Sequence, residues 1–235
     1  MKYFGTGLSE SHKELSAIIK KKDESARAIA LFLELHSKLN LSEISDTEPN
    51  EVDTFLSDLS PEEFGIMPTA KDETIAWVLW HLARIEDLTM NFLVAGKEQV
   101  FNTEWKKKLN APIDDTGNAL SDDEIIDLSG QLDVTALVAY RNAVGKRTRD
   151  IVKRLSAVDL KQKVSPQGLE RIWESGGVTA QPESLWLLDY WGKKDVAGLL
   201  LMPPTRHAMM HLNDCTAWKQ HIRAGKKCFR SGQSN

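Results

Sequence analysis

The chain has 235 residues, 41% hydrophobic and 27% charged, which is enough apolar material for one well-buried core in a soluble globular domain. A formal net charge of −4 and a pI near 5.9 argue against nucleic acid or an anionic membrane surface as the main partner, since either favours a concentrated basic face. No stretch approaches the roughly 20 apolar residues that span a bilayer, residues 1–7 lack the apolar core of a signal peptide, and two cysteines, Cys215 and Cys228, make no disulfide framework, so the reducing cytoplasm is the expected setting.

In chain order, Ile18, Ile29, Phe32, Leu33, Leu35 and Leu39 recur at helical spacing without an intervening Pro or Gly, which predicts a first helix over 8–40. Residues 41–72 are punctuated by Pro49, Pro61, Gly65 and Pro68, with a short helix opening at Ser60-Pro61-Glu62-Glu63. A second long helix is predicted over 73–95, ending before Gly96, with Trp77, His81, Ile85, Leu88 and Phe92 as its inward stripe. On that register Glu86 falls on the opposite, solvent side.

Residues 97–132 read as irregular, with Lys106-Lys107-Lys108 as a solvated helix end and one short helix opened by the capping box Ser121-Asp122-Asp123-Glu124. A third long helix is predicted over 133–156, with Leu137, Tyr140, Val144, Ile151 and Leu155 on one face. Residues 157–203 look least regular, rich in Pro, Gly and aromatics. The last helix is expected to begin after Pro203-Pro204-Thr205 and to stop at Gly225. Strand alternation is nearly absent. The fold class is all-α: a single domain over 1–235, built as an up-down four-helix bundle with accessory short helices and long crossover connections at 97–132 and 157–203.

Three histidines carry the chemistry. His207 and His211 stand four apart, so on a helix they share a face and can hold one ion between them. His81 lies in the middle of the second helix's apolar stripe, while Cys215, Trp218 and Ile222 complete the stripe of the His207/His211 pair. All three imidazoles are thus expected to face one bundle core, where an unpaired polar ring is costly and metal coordination satisfies it. Each histidine alone reads more readily as a core residue; the joint placement is the signal. His36 also faces inward on the first helix, as a pocket-lining group or a core residue. His221, fourteen residues beyond His207, is too far along the axis to share an ion. Ala208 occupies the glutamate position of the His-Glu-x-x-His zinc proteases, so their mechanism is not expected.

These residues resemble the DinB-like (YfiT-like) metalloprotein superfamily. Trp77-Val78-Leu79-Trp80-His81-Leu82 matches its second-helix segment, and Thr205-Arg206-His207-Ala208-Met209-Met210-His211-Leu212-Asn213 its last-helix segment. Leu59-Ser60-Pro61-Glu62-Glu63-Phe64 is similar to the connector that precedes the second helix. The resemblance implies a divalent metal, zinc or nickel, held by His81, His207 and His211 with positions open to water or ligand. It also implies a small-molecule substrate, since relatives include transferases and isomerases that activate the sulfur of a low-molecular-weight thiol. Relatives commonly pair, so a homodimer is expected.

The leading expectation is therefore a metal-dependent thiol S-transferase. Tyr140 faces inward as a candidate hydrogen-bond donor or a buried core residue, and Asp214 is a candidate base, an acceptor that orients an imidazole, or a surface acid; Arg141 and Arg206 are candidates for binding a thiol's carboxylate, or surface salt-bridge partners. Two alternatives stand beside it: a metal-dependent hydrolase of a small substrate, and a non-catalytic metal-stabilised binding protein. Trp173, Trp186 and Trp191 suit either a pocket wall or a partner surface.

Overall fold

The computed structural model describes residues 5–230; residues 1–4, part of the segment read above for a leader, lie outside the described residues. Among the described residues there is no strand, and backbone pairing between extended segments is limited to an isolated bridge from Lys163 to Asp195. No helix among them is long and apolar enough to cross a membrane.

The predicted first helix is two. α1 (Leu8–Ile18) and α2 (Ser25–Lys38) are separated by a tight 3-10 turn at Lys22–Glu24 and pack against each other. At about 100° per residue, the residues that α1 buries (Leu8, Leu15, Ile18) and those that α2 buries (Ala28, Phe32, Leu35) form stripes centred about 120° apart on a continuous helix. A straight rod would have to turn two faces to the core; instead the chain turns back within the polar run Lys20-Lys21-Lys22-Asp23.

α3 (Glu51–Ser57) occupies the punctuated connector, opened by a capping box in which the Asn50 side chain accepts from Asp53 N and Asp53 accepts from Asn50 N. The short turn expected after Ser60 is a 3-10 helix, Glu62–Gly65. α4 (Ile75–Leu88) runs on through a wider, π-helical segment, Thr89–Ala95, and ends at Gly96 in the left-handed region at φ 60°. α5 (Thr103–Leu109) is N-capped by Asn102, and Lys106, Lys107 and Lys108 fill its last turn. α6 (Asp122–Gln131) opens on the Ser121/Glu124 capping box, and α7 (Val134–Val152) on the Asp133 cap.

The stretch read as least regular is largely helical. α8 (Pro166–Glu174), α9 (Pro182–Gly192) and α10 (Val196–Leu200) start at Ser165, Gln181 and Asp195, two of them with proline in the first position. α10 continues through a π-helical turn, Met202–His207, into α11 (Ala208–Arg223), which stops at Gly225 with φ 65°. The last helical run therefore begins before the prolines rather than after them.

The bundle consists of α2, α4, α7 and α11. α4 lies against α7 on one side and α11 on another, while α2 closes the ring against α7 and the Met202–His207 turn. A second, smaller apolar cluster joins Ile85, Leu88 and Phe92 to Ile172, Leu187 and Trp191, laying α8 and α9 over the outer side of α4. Gly168 makes that approach possible, because a Cβ there would lie 3.0 Å from the Phe92 carbonyl oxygen. With neighbours all round, all 14 residues of α4 are buried.

Candidate metal centre

α4 begins where Thr74 Oγ1 accepts from Trp77 N at 3.0 Å. Its side chains then meet an extended loop whose consecutive carbonyls take their donors. Arg84 Nε donates to Asp114 O (3.0 Å), Trp80 Nε1 to Asp115 O (3.0 Å), His81 Nδ1 to Thr116 O (2.9 Å) and Trp77 Nε1 to Gly117 O (3.2 Å). The Asp115 carboxylate accepts from Gly117 N at 2.7 Å and holds the turn. Gly117 has φ 76°, and a Cβ there would lie 2.7 Å from the Trp77 indole nitrogen, so glycine is needed on both counts. A segment read from sequence as an irregular insert thus fixes the orientation of His81. The Trp77 ring also stacks on the imidazole, centroids 4.4 Å apart and planes within 11°.

The other two histidines are placed by the prolines. In a regular helix Leu200 O would receive the N–H of residue 204, but Pro204 has none. Thr205 Oγ1 donates to Leu200 O instead, at 2.8 Å, and the turn widens to π geometry before the α-helix resumes at Ala208. His207 closes that turn and His211 stands one turn on, both half-buried.

The three rings converge. His207 Nε2 lies 3.1 Å from His81 Nε2 and 3.1 Å from His211 Nε2. Because His81 Nδ1 carries the hydrogen donated to Thr116, its neutral Nε2 presents a lone pair to the centre. A single ring hydrogen points along one contact, so neutral rings cannot satisfy both short contacts at once. Protonation is disfavoured as well. Burial, with the neighbouring His211, pulls His81 down to about 3; burial pulls His211 down to about 4, and burial with its two imidazole neighbours takes His207 well below the ordinary value. His207 Nδ1 and His211 Nδ1 are buried without a partner. The ligand atoms of His81, His207 and His211 lie within 4.8 Å of one another, so this set can hold a metal ion. A divalent cation fits the donor set, replacing an unsatisfiable nitrogen cluster with three imidazole ligands.

Beside the triad lies a cavity of about 180 Å³ whose lining includes His81 and His207, with α9 and the Met202–Pro203 turn as its outer wall. Trp186 and Trp191 line it; Trp173 is exposed on α8 and does not. Sequence reasoning named the two tryptophans but missed Asn118, Leu187, Tyr190 and the Thr116 carbonyl. Backbone acceptors leave no mark in a sequence; the i, i+4, i+5 spacing of Trp186, Tyr190 and Trp191 after Pro182 was the available signal for the wall.

The remaining candidates fall elsewhere. Glu86 is not solvent-facing: it is buried and accepts from His36 Nε2 at 2.9 Å, because α4 has no outer face. Burial alone would raise its carboxyl, but His36 and Arg141 hold it below the usual value. His36 is committed to that pair and is absent from the triad. Arg141 is not at the surface either; it is buried and donates to Leu39 O at 2.6 Å. Arg206 is exposed and does not line the cavity. Tyr140 donates to Asp87 Oδ2 at 2.7 Å and accepts from Arg84 Nη1 at 3.0 Å, away from the cavity, and burial keeps it a neutral phenol. Asp214 is exposed and makes no hydrogen bond to an imidazole. Cys215, one turn beyond His211, is buried, and burial pushes its thiol up.

A family model described as the DinB superfamily matches residues 45–214, well over half of the chain and a span that includes all three histidines. No curated protein matches the chain in sequence.

Proposed function

Because the chain belongs to the DinB superfamily and brings three imidazoles to one point, we propose that it is a metal-dependent enzyme transferring the sulfur of a small thiol to an electrophilic carbon. His81, His207 and His211 would hold the ion, with zinc and nickel the metals of choice. When bound, a cation held by neutral ligands keeps its full charge and lowers the pKa of a thiol or water beside it.

The choice of thiol over water rests on one observation: the cavity beside the triad is lined by no carboxylate. A thiol, with a free pKa of about 8.5, needs only a small push to ionise at neutral pH. Water starts at about 15.7, and hydrolysis then commonly draws on a general base. Asp214, the carboxylate offered by the sequence as a base, is exposed and makes no hydrogen bond to an imidazole among the described residues. In the proposed reaction the thiol proton passes to solvent, a carbon–sulfur bond forms, and the bond to the leaving group breaks with its electron pair departing on that group. His81, fixed by Thr116 and Trp77, aims the site at the cavity. We place the protein in the cytoplasm, where both cysteines stay reduced, as a homodimer.

Metal-loaded protein assayed with a thiol and a chromogenic haloarene tests this reading. Thiol consumption matched by release of the leaving group, abolished by a chelator and by His211→Ala, is expected. Ester or amide hydrolysis without thiol consumption would assign the site to the hydrolases instead.

A further inference from the structure

We propose that the cavity between the triad and α9 binds the flat, apolar body of a small uncharged carbonyl compound, and that Asn118 Nδ2 donates a hydrogen bond to its oxygen. The proposal rests on the reading of the triad as the reactive centre and adds the class of the electrophile, a carbonyl compound that carries the leaving group, for which acetophenone is a ligand that binds without reacting.

Size comes first. An apolar cavity of about 150 Å³ accepts benzene; about 180 Å³ here takes one aromatic ring with a short substituent. The walls suit such a ring: Trp186, Leu187, Tyr190, Trp191, Met202 and Pro203 offer aromatic and aliphatic faces, with Ile85 below. Trp186 is 48% exposed, an unusual surface for a large indole, and its Nε1 is tied to Glu183 O at 3.0 Å so that the ring stands as a lip.

Charge decides the class. Among the described residues no Lys, Arg, Asp or Glu lines the cavity, so away from the triad a charged group would shed its water without gaining a side-chain partner. Lys194 Nζ sits 4.1 Å from the Tyr190 ring centroid but is not among the lining residues. Of the candidates for a carboxylate clamp, Arg141 is buried on α7 with its guanidinium donating to Leu39 O, and Arg206 is exposed; neither lines the cavity. Asn118 supplies the polar contact. Its Oδ1 accepts from Thr116 Oγ1 at 2.8 Å, which fixes the amide and leaves Nδ2 as a donor at the cavity wall. The same loop residue, Thr116, orients His81 through its carbonyl, so one turn would set both metal ligand and substrate.

Calorimetric titration with acetophenone, benzoate and toluene tests the proposal on the purified full chain, with metal content measured on the same samples. Acetophenone should saturate one site and, on the His211→Ala protein, where no ion captures a carboxylate, bind at least about tenfold more tightly than benzoate. Trp186→Ala, at an exposed position that the fold tolerates, should weaken acetophenone about tenfold. Asn118→Asp should weaken acetophenone similarly while leaving toluene unchanged. His211→Ala, which does not line the cavity, should lose metal and keep acetophenone. Benzoate binding to the His211→Ala protein as tightly as acetophenone, or acetophenone binding that Trp186→Ala does not change, overturns the proposal. Acetophenone binding to protein that takes up no metal would sustain the cavity and remove the metal-enzyme reading, whereas metal uptake without acetophenone binding would do the reverse.

Discussion

Two polar clusters hang on α4 three residues apart, one around Arg84 and one around His81, and they are satisfied in opposite ways. Around Arg84 the guanidinium, the Asp87 carboxylate and the Tyr140 hydroxyl all have partners, and Asn91 Oδ1 at the edge of the cluster does not. Asp87 accepts from Tyr140, Asn91, Val100 N and Phe101 N at 2.7–2.8 Å, while Arg84 donates to Tyr140, Gln99 and Asp114 O at 3.0 Å. The charged groups are paired as they stand, with no site left between them for an ion. Around His81 the outer nitrogen is tied to Thr116, but three inner nitrogens converge on one point, where neutral rings cannot satisfy both short contacts at once. Paired charges stabilise buried polarity within the bundle; converging lone pairs mark where a cation fits. Burial alone does not separate the two.

The sharpest way to break this contrast is His207→Ala. Loss of tight metal binding is expected, with far-ultraviolet circular dichroism nearly unchanged, since the bundle carries ample apolar contact of its own. A variant that loses its helical signal would put the triad in the structural class with Arg84. Asp87→Ala should act in the opposite sense. It strands a buried guanidinium and should cost about 3–5 kcal/mol in urea unfolding, while any folded fraction still binds metal.

Gly117→Ala probes the link between the two, because the 114–117 loop serves both Arg84 and His81. Its Cβ would collide with Trp77, disturb the Thr116 acceptor and weaken metal affinity about 10–100-fold, which is about 1.4–2.8 kcal/mol; metal titration reads it.

The smallest effect is the pH dependence of metal-free stability. Below the ordinary imidazole value of about 6.5 the unfolded chain takes up protons on these histidines, while the folded chain resists down to about 4 at His211 and about 3 at His81. Stability should therefore fall as pH drops through that window, by up to about 1.4 kcal/mol per unit for each histidine. Urea titrations at pH 7 and pH 5 measure the slope, and His207→Ala should reduce it.

How much was legible in the sequence follows the same division. The long apolar stripe of α4, the i, i+4 spacing of His207 and His211, the Ser121/Glu124 box and the Gly96 and Gly225 stops are local signals, and they led to the bundle and to the three histidines. The break between α1 and α2 shows in the sequence as a shift of about a third of a turn in the apolar stripe, which without Pro or Gly is easily bridged by one long helix. Asn50 and Asn102 are capping signals for α3 and α5, and Pro166 and Pro182 stand in the first turns of α8 and α9, within a stretch whose Pro and Gly content reads as irregular. Glu86 was misplaced because the amphipathic rule presumes a solvent face, and α4 has none. The carbonyl ladder at 114–117 was out of reach, since backbone acceptors carry no residue type.

The central claim is that His81, His207 and His211 together hold one divalent ion. X-ray absorption on the metal-loaded protein, with metal per chain counted on the same sample, tests it most directly. One ion per chain with three imidazole nitrogens at about 2.0–2.1 Å is the expected result. Substoichiometric metal, or a first shell of oxygen or sulfur without three imidazoles, would contradict it.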